Sequence, residues 1–185
     1  MRLFIASGIF HPESGGPATY LYRLLPELQA RGHDVRVLTF GDDPAGGYPY
    51  AVQRIPRRDF FRRTAGYALA SRAAIPWADL IYIHSAGLPL WPSARNKPRV
   101  LKIVGDLAWE RAVRRGWIAP DEDIDRFQRA RYDWRVEWFR QQRAREVRRM
   151  DRVIVPSQYL REMVIGWGVE PERVALIYNA LDEDA

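Results

Sequence analysis

The chain has 185 residues, of which 47% are hydrophobic and 28% charged, the composition of a soluble globular domain that can bury one good core. It contains no cysteine, which excludes disulfides, thiolate metal sites and a cysteine nucleophile and fits a reducing compartment. The net charge is +6, and of 29 basic residues only Lys97 and Lys102 are lysines; arginine's planar fork suits phosphate, carboxylate and aromatic partners, although a GC-rich genome enriches arginine without any functional cause.

Leu3–Ala6 is a short apolar run that reads as a first strand, followed by a Gly/Pro-rich turn. A helical stripe of Ala18, Leu21, Tyr22, Leu25 and Leu28 comes next, and Gly32 is placed to end that helix. Val35–Phe40 is the second strand, and the turn formers of 41–49 lead to a short third strand at Ala51–Ile55 and a basic helix over Phe60–Ile75. Leu80–His84, Val100–Val104, Val153–Val155 and Val174–Ile177 complete about seven strands. One long helix is expected between Asp121 and Met150, where Phe127, Ala130, Trp134, Trp138 and Phe139 form a stripe read as core or interface. Ser157 is a plausible cap for the helix that follows the sixth strand, and the acidic end Leu181–Ala185 reads as exposed. Strands alternating with helices, the strands nearly all apolar, predict a single α/β domain, doubly wound and Rossmann-like on a mostly parallel sheet. No stretch approaches eighteen consecutive apolar residues and the amino terminus enters a strand at once, so neither a membrane-spanning helix nor a signal peptide is expected, and a cytoplasmic location is.

Open α/β sheets bind ligands beyond the carboxyl ends of their strands, and three loops there carry chemistry. The first, Phe10–Pro17, holds Gly15 and Gly16, which permit close backbone approach just before a helix amino terminus suited to an anion. It is neither a dinucleotide fingerprint nor a Walker loop, and two adjacent glycines are also an ordinary turn. His84 ends the fourth strand, where it can bond a sugar hydroxyl or cap a loop. Asp106 follows the fifth strand and Gly105. It can accept from sugar hydroxyls, act as a base or cap the next helix, and from chemistry alone the cap is the stronger reading. Trp109 offers a stacking face or a core side chain, and Glu110 is a secondary carboxylate. His11, His33 and His84 have no ligand spacing, so no metal site is expected.

Two basic surfaces stand out. Arg54, Arg57, Arg58, Arg62 and Arg63 cluster with Phe60 and Phe61, a pattern suited to the headgroup boundary of an anionic bilayer if the rings are exposed. The Asp121–Met150 segment is arginine-rich, which fits a solvated face, an anionic membrane or lipid-linked acceptor surface, or, least of the three, nucleic acid.

The opening Leu3–Gly16 and the closing strings Asp151–Leu160 and Gly166–Asp182 resemble the first Rossmann-like domain of GT-B glycosyltransferases, particularly family 4. Pro12-Glu13-Ser14-Gly15-Gly16 is similar to the Pro-x-x-Gly-Gly loop that this family holds against the donor diphosphate, and Val104-Gly105-Asp106-Leu107-Ala108-Trp109-Glu110 to the segment beneath the sugar. The resemblance implies a diphosphate role for Gly15 and Gly16, a sugar-contacting and catalytic role for Asp106, and substrate contacts for His84, Trp109 and Glu110. Tyr178 and Ala180 stand where relatives carry proline and glycine, which makes the domain crossing near Asn179 less standard. Residues 1–185 would then be the acceptor-binding half of a retaining transferase that uses a nucleotide-sugar donor, an acceptor sugar or lipid-linked acceptor, and no metal or cofactor. The second, donor-binding domain would lie outside this chain, leaving it inactive alone, and peripheral contact with the inner face of the plasma membrane is implied. The rival is a freestanding module that binds anionic lipid, polysaccharide or nucleic acid without turnover. A nicotinamide dehydrogenase is disfavoured because the second strand ends Thr39-Phe40-Gly41 without the acidic ribose residue.

Overall fold

The computed structural model describes residues 1–43 and 46–179; the acidic end and Ala180 lie outside them. The chain forms two compact units, residues 1–100 and 101–185. Among the described residues seven strands and six α-helices follow one another, mostly in alternation, and every described ladder is parallel. This is the α/β class the sequence predicts.

In the first unit β1 (Arg2–Ser7), β2 (Asp34–Phe40), β3 (Ala51–Ile55) and β4 (Leu80–His84) lie in the order β3-β2-β1-β4. Leu3 pairs with Val35 on one side and Leu80 on the other, so β1 is interior, and all its residues from Leu3 to Ser7 are buried. Buried on both faces, such a strand must be continuously apolar. Helix α1 (Gly16–Ala30) turns Ala18, Leu21 and Leu25 inward, at spacings of three and four residues, and leaves Tyr22 exposed. It ends where Gly32, at φ +79°, takes the left-handed conformation that lets its N–H reach the Gln29 carbonyl at 2.8 Å. Helix α2 (Phe60–Ala74) starts at Asp59, whose carboxylate accepts from the Arg62 N–H at 3.0 Å. Its buried Tyr67 donates to the carbonyls of Leu38 (2.9 Å) and Ser7 (3.3 Å), fastening the helix to the carboxyl ends of β2 and β1.

Strand β5 (Arg99–Lys102) passes from the first unit into the second, whose strand order is β5-β6-β7, with β6 at Arg152–Val155 and β7 at Val174–Leu176. Helices α3 (Leu107–Arg114), α4 (Ile124–Arg129) and α5 (Trp134–Val147) precede β6, and α6 (Gln158–Gly166) follows it. Ser157 caps α6 as expected, accepting from the Leu160 N–H at 3.2 Å. Ala108, Ala112, Ile118, Phe127 and Val136 form the core between the first three of these helices.

The single long helix expected between Asp121 and Met150 is two helices. Ala130 leaves α4 in extended conformation (ψ 160°), and Asp133 starts α5 by accepting from the N–H groups of Arg135 and Val136 at 2.9 and 3.2 Å. Glu137 reaches back to the Tyr132 N–H at 3.1 Å, so the break is capped from both sides. The aromatic stripe splits with it: Phe127 is buried, whereas Trp134 and Trp138 are exposed (77% and 50%). No helix among the described residues is long and apolar enough to cross a membrane.

Candidate functional site

In the first unit the chain runs from β1 outward to β2 and β3, then returns to place β4 on the other side of β1. The connections leaving β1 and β4 therefore diverge, which opens a crevice at their carboxyl ends. The loop after β1 borders it. Gly15 has φ +146°, and a Cβ there would stand 2.9 Å from Ile9 Cδ1, so both conformation and space favour glycine. Gly16 opens α1, whose first turn has no side-chain cap and no acidic residue. Pro17 has no N–H and the Thr19 N–H donates to the Gly15 carbonyl at 3.0 Å, so the Gly16 and Ala18 amides and the positive dipole end are what this terminus offers an anion.

This loop is braced by side chains that the sequence did not connect with it, among them Arg54 and Arg57 of the basic cluster. The His11 carbonyl accepts from Tyr48 Oη at 2.6 Å and also from Arg54. The His11 ring stacks on Tyr22 with centroids 4.1 Å apart. Glu13 forms an ion pair with Arg57. These contacts join residues 11 to 44 positions apart in sequence, and no local spacing announces them.

His84 sits at the end of β4 in register with Ser7 of β1. Its ring is buried, 5.5 Å from the Tyr20 ring on α1, which brings it to the edge that carries the glycine loop. Ser85, immediately after, has φ +92°, a conformation that costs a residue other than glycine about 1–3 kcal/mol and clusters at ligand-binding turns.

The second unit holds Asp106, Trp109 and Glu110. Asp106 is 1% exposed. One carboxylate oxygen caps α3, accepting from the Ala108 and Trp109 N–H groups at 2.9 and 3.3 Å. The other accepts from Gln128 Nε2 at 2.8 Å and forms an ion pair with Arg143, which is 7% exposed. Arg143 in turn lies 3.9 Å above the Trp167 ring, whose indole N–H donates to Gln128 Oε1 at 2.9 Å. The capping role weighed for Asp106 is thus present, inside a network that the sequence reading missed. Gln128 carries no motif. Arg143, one arginine among many, could have been found from the spacing of Val136, Phe139, Arg143 and Val147, which sets it on the inward face of α5.

Trp109 packs against the α3–α5 core, and its indole donates to the Glu122 carbonyl at 3.0 Å. Partial desolvation, and next the neighbouring Asp106, push the Glu110 carboxyl above its ordinary range. A Cβ on Gly105 would fall 2.7 Å from Glu110 Oε1, so the glycine makes room for that carboxylate. Lys102, buried at the end of β5, has its pKa lowered to about 8 by desolvation and donates to Asn179 Oδ1 at 2.8 Å.

The basic surface opening α2 has the exposure its sequence reading required: Phe60 and Phe61 are 62% and 81% exposed. Arg63 stands over the Phe60 ring at 6.0 Å, Arg62 pairs with Asp59, and Arg57 is shared with Glu13.

Solved structures share this architecture. They include HepE from Anabaena in complex with UDP and glucose (17% identity, TM-score 0.58, covering 98% of this chain and 45% of that one). The lipopolysaccharide glycosyltransferase WaaG also matches (17% identity, TM-score 0.56, 100% and 46% covered), as does UDP-GlcNAc 2-epimerase from Methanocaldococcus jannaschii (11% identity, TM-score 0.60, 95% and 45% covered). At these identities the likeness shows the fold, that of the Rossmann-like units of GT-B proteins, and the chain spans about half the length of each neighbour. The Glycosyltransferase Family 4 profile matches residues 14–185, and the chain belongs to that family. No curated protein matches it.

Proposed function

We propose that this chain is the acceptor-side half of a glycosyltransferase that moves a sugar from a nucleotide-sugar donor to an acceptor with retention of anomeric configuration. The observation that carries this is the family match over residues 14–185 together with the uncapped α1 amino terminus behind Gly15 and Gly16 at the β1/β4 crevice. The structural neighbour HepE, solved in complex with UDP and with UDP-glucose, supports a nucleotide-sugar donor, and WaaG, a glycosyltransferase involved in lipopolysaccharide biosynthesis, supports glycosyl transfer. In this reading the glycine loop neutralises diphosphate charge, and the brace of His11, Tyr48 and Arg54 keeps it in place before the donor arrives. His84 orients acceptor or transferred sugar at the same edge. Asp106 contacts the sugar only when its bonds to Arg143 or Gln128 are exchanged for substrate hydroxyls, with Glu110 and Trp109 secondary. Neither a metal nor a cofactor takes part. A second domain of similar size holds the donor, so this half alone does not turn over. The exposed Phe60 and Phe61, ringed by Arg57, Arg58, Arg62 and Arg63, seat the protein on anionic lipid close to a lipid-linked acceptor.

The test is the mass of the native polypeptide in its source cells, detected with an antibody against this domain. A band at about twice the 21.5 kDa of this chain is expected, since a second Rossmann-like unit has similar size. A band at 21.5 kDa, with no partner chain co-purifying, overturns the two-domain reading and leaves a binding module.

A further inference from the structure

The second unit has a cavity of about 500 Å³ among α4, α5 and α6. That volume lies in the range of about 300–1,000 Å³ typical of small-molecule sites. None of the residues assigned above to diphosphate or acceptor lines it. Its charges cancel: Arg129, Arg140 and Arg143 face Asp125, Glu137 and Glu162. Strongly anionic and strongly cationic ligands would each meet three like charges, and an apolar ligand would strip water from all six. A ligand whose every group both donates and accepts suits such a lining, and hydroxyl groups do this. Vicinal diols also match the spacing of a guanidinium fork or a carboxylate.

One side chain of the lining carries an unpaired donor, an atom without accessible surface that an occupant meets only if Arg143 shifts. Arg143 is nine-tenths buried, is held on one side by Asp106 and on one face by Trp167, and yet its Nε has no hydrogen-bond partner among the described residues. Buried donors are nearly always satisfied. Tyr159 and Met163 add the apolar surface that the CH faces of a pyranose ring require.

We propose that this cavity binds a neutral saccharide unit, its hydroxyls bridging Arg143 and Gln128 within and Arg129 and Glu162 at the rim. The inference stands whether or not the chain is half of a transferase. It also links the cavity to Asp106, because Gln128 and Arg143 are the two side chains that hold that carboxylate. An occupant that recruits either one loosens Asp106 from its structural bonds.

The experiment is ligand-observed NMR on the chain with maltose, cellobiose, lactose and mannobiose as neutral probes and glucuronate and inorganic phosphate as anionic ones, followed by titration of tryptophan fluorescence. At least one neutral disaccharide is expected to bind with a Kd of about 1 mM or tighter. Arg129→Gln and Glu162→Gln, both at exposed positions that leave the fold intact, should each weaken it about tenfold. Gly15→Ala should leave it unchanged. No neutral binding up to about 10 mM, preference for the anionic probes, indifference to both rim substitutions, or loss on Gly15→Ala would each overturn the proposal.

Discussion

Asp106→Ala removes a carboxylate that does three things at once: it caps α3, accepts from Gln128 and neutralises a buried arginine. Losing a cap costs about 0.5–2 kcal/mol. Leaving Arg143 charged and unpaired at 7% exposure is the larger effect, because breaking a buried pair from one side costs about 3–5 kcal/mol. The terms overlap, so about 3–5 kcal/mol is expected, or a fall in Tm of about 6–20 °C for a chain of this length. Arg143→Met should cost less, since Asp106 keeps its two amides and Gln128. The double variant should lie closer to the worse single variant than to the sum, with a coupling energy of about 2 kcal/mol or more. Urea unfolding of all four proteins, followed by tryptophan fluorescence, measures this directly. A cost below about 1 kcal/mol for Asp106→Ala, or additive single costs, would mean that the pair is not the buried, mutually dependent unit described.

Several other outcomes test separate elements. Lys102 has its pKa lowered from 10.5 to about 8 by burial, so between those values the unfolded chain binds the extra proton and stability rises with pH; subtracting the unfolding profile of Lys102→Met from that of the wild type should isolate this rise, with a flat difference below pH 8. The Asp79 carboxyl, held at about 2 first by the Arg2 side chain and next by the Arg2 backbone N–H, should titrate higher in Arg2→Gln, read by NMR, but still below its ordinary 3.8 because the backbone bond survives; the small stability it lends is present above 3.8 and fades toward pH 2. Phe60→Ser with Phe61→Ser should abolish co-sedimentation with vesicles of anionic lipid without changing the far-UV spectrum, because both rings are exposed; undiminished binding would move the membrane contact elsewhere. Gly15→Ala should cost about 1 kcal/mol and lower transfer by the full enzyme, through φ +146° and the approach to Ile9.

Strands β1, β2 and β4 were legible because interior parallel strands are dominated by apolar residues, and Leu3–Ala6, Val35–Phe40 and Leu80–His84 are so locally, despite exposed Arg36 and buried Thr39 and His84. Caps at Asp106 and Ser157 were legible for the same reason: the partner amides lie two or three residues away. The break at Ala130–Asp133 was not, since a helical stripe of apolar residues continued across it and masked the local cap at Asp133, whose partner amides also lie two and three residues away. Glycine loop and histidine were found at the right strand ends, but their supports were missed. Tyr48 and Arg54 reach His11 from across 37 and 43 residues, and Arg143 reaches Asp106 from across 37. Arginine abundance hid that last contact: a residue type that covers the surface gives no signal when one copy turns inward.

Transfer by the native polypeptide is the decisive observation. The protein carrying this domain should be immunopurified from its source cells and supplied with a panel of UDP-, GDP- and ADP-sugars and a lipid-linked acceptor fraction. Nucleoside diphosphate release and the anomeric configuration of the product are then read by NMR. Release from one donor class with the product retaining the donor's configuration is the predicted result. Release from none of the donors, or a product of inverted configuration, would contradict the assignment of this chain to the acceptor side of a retaining sugar transferase.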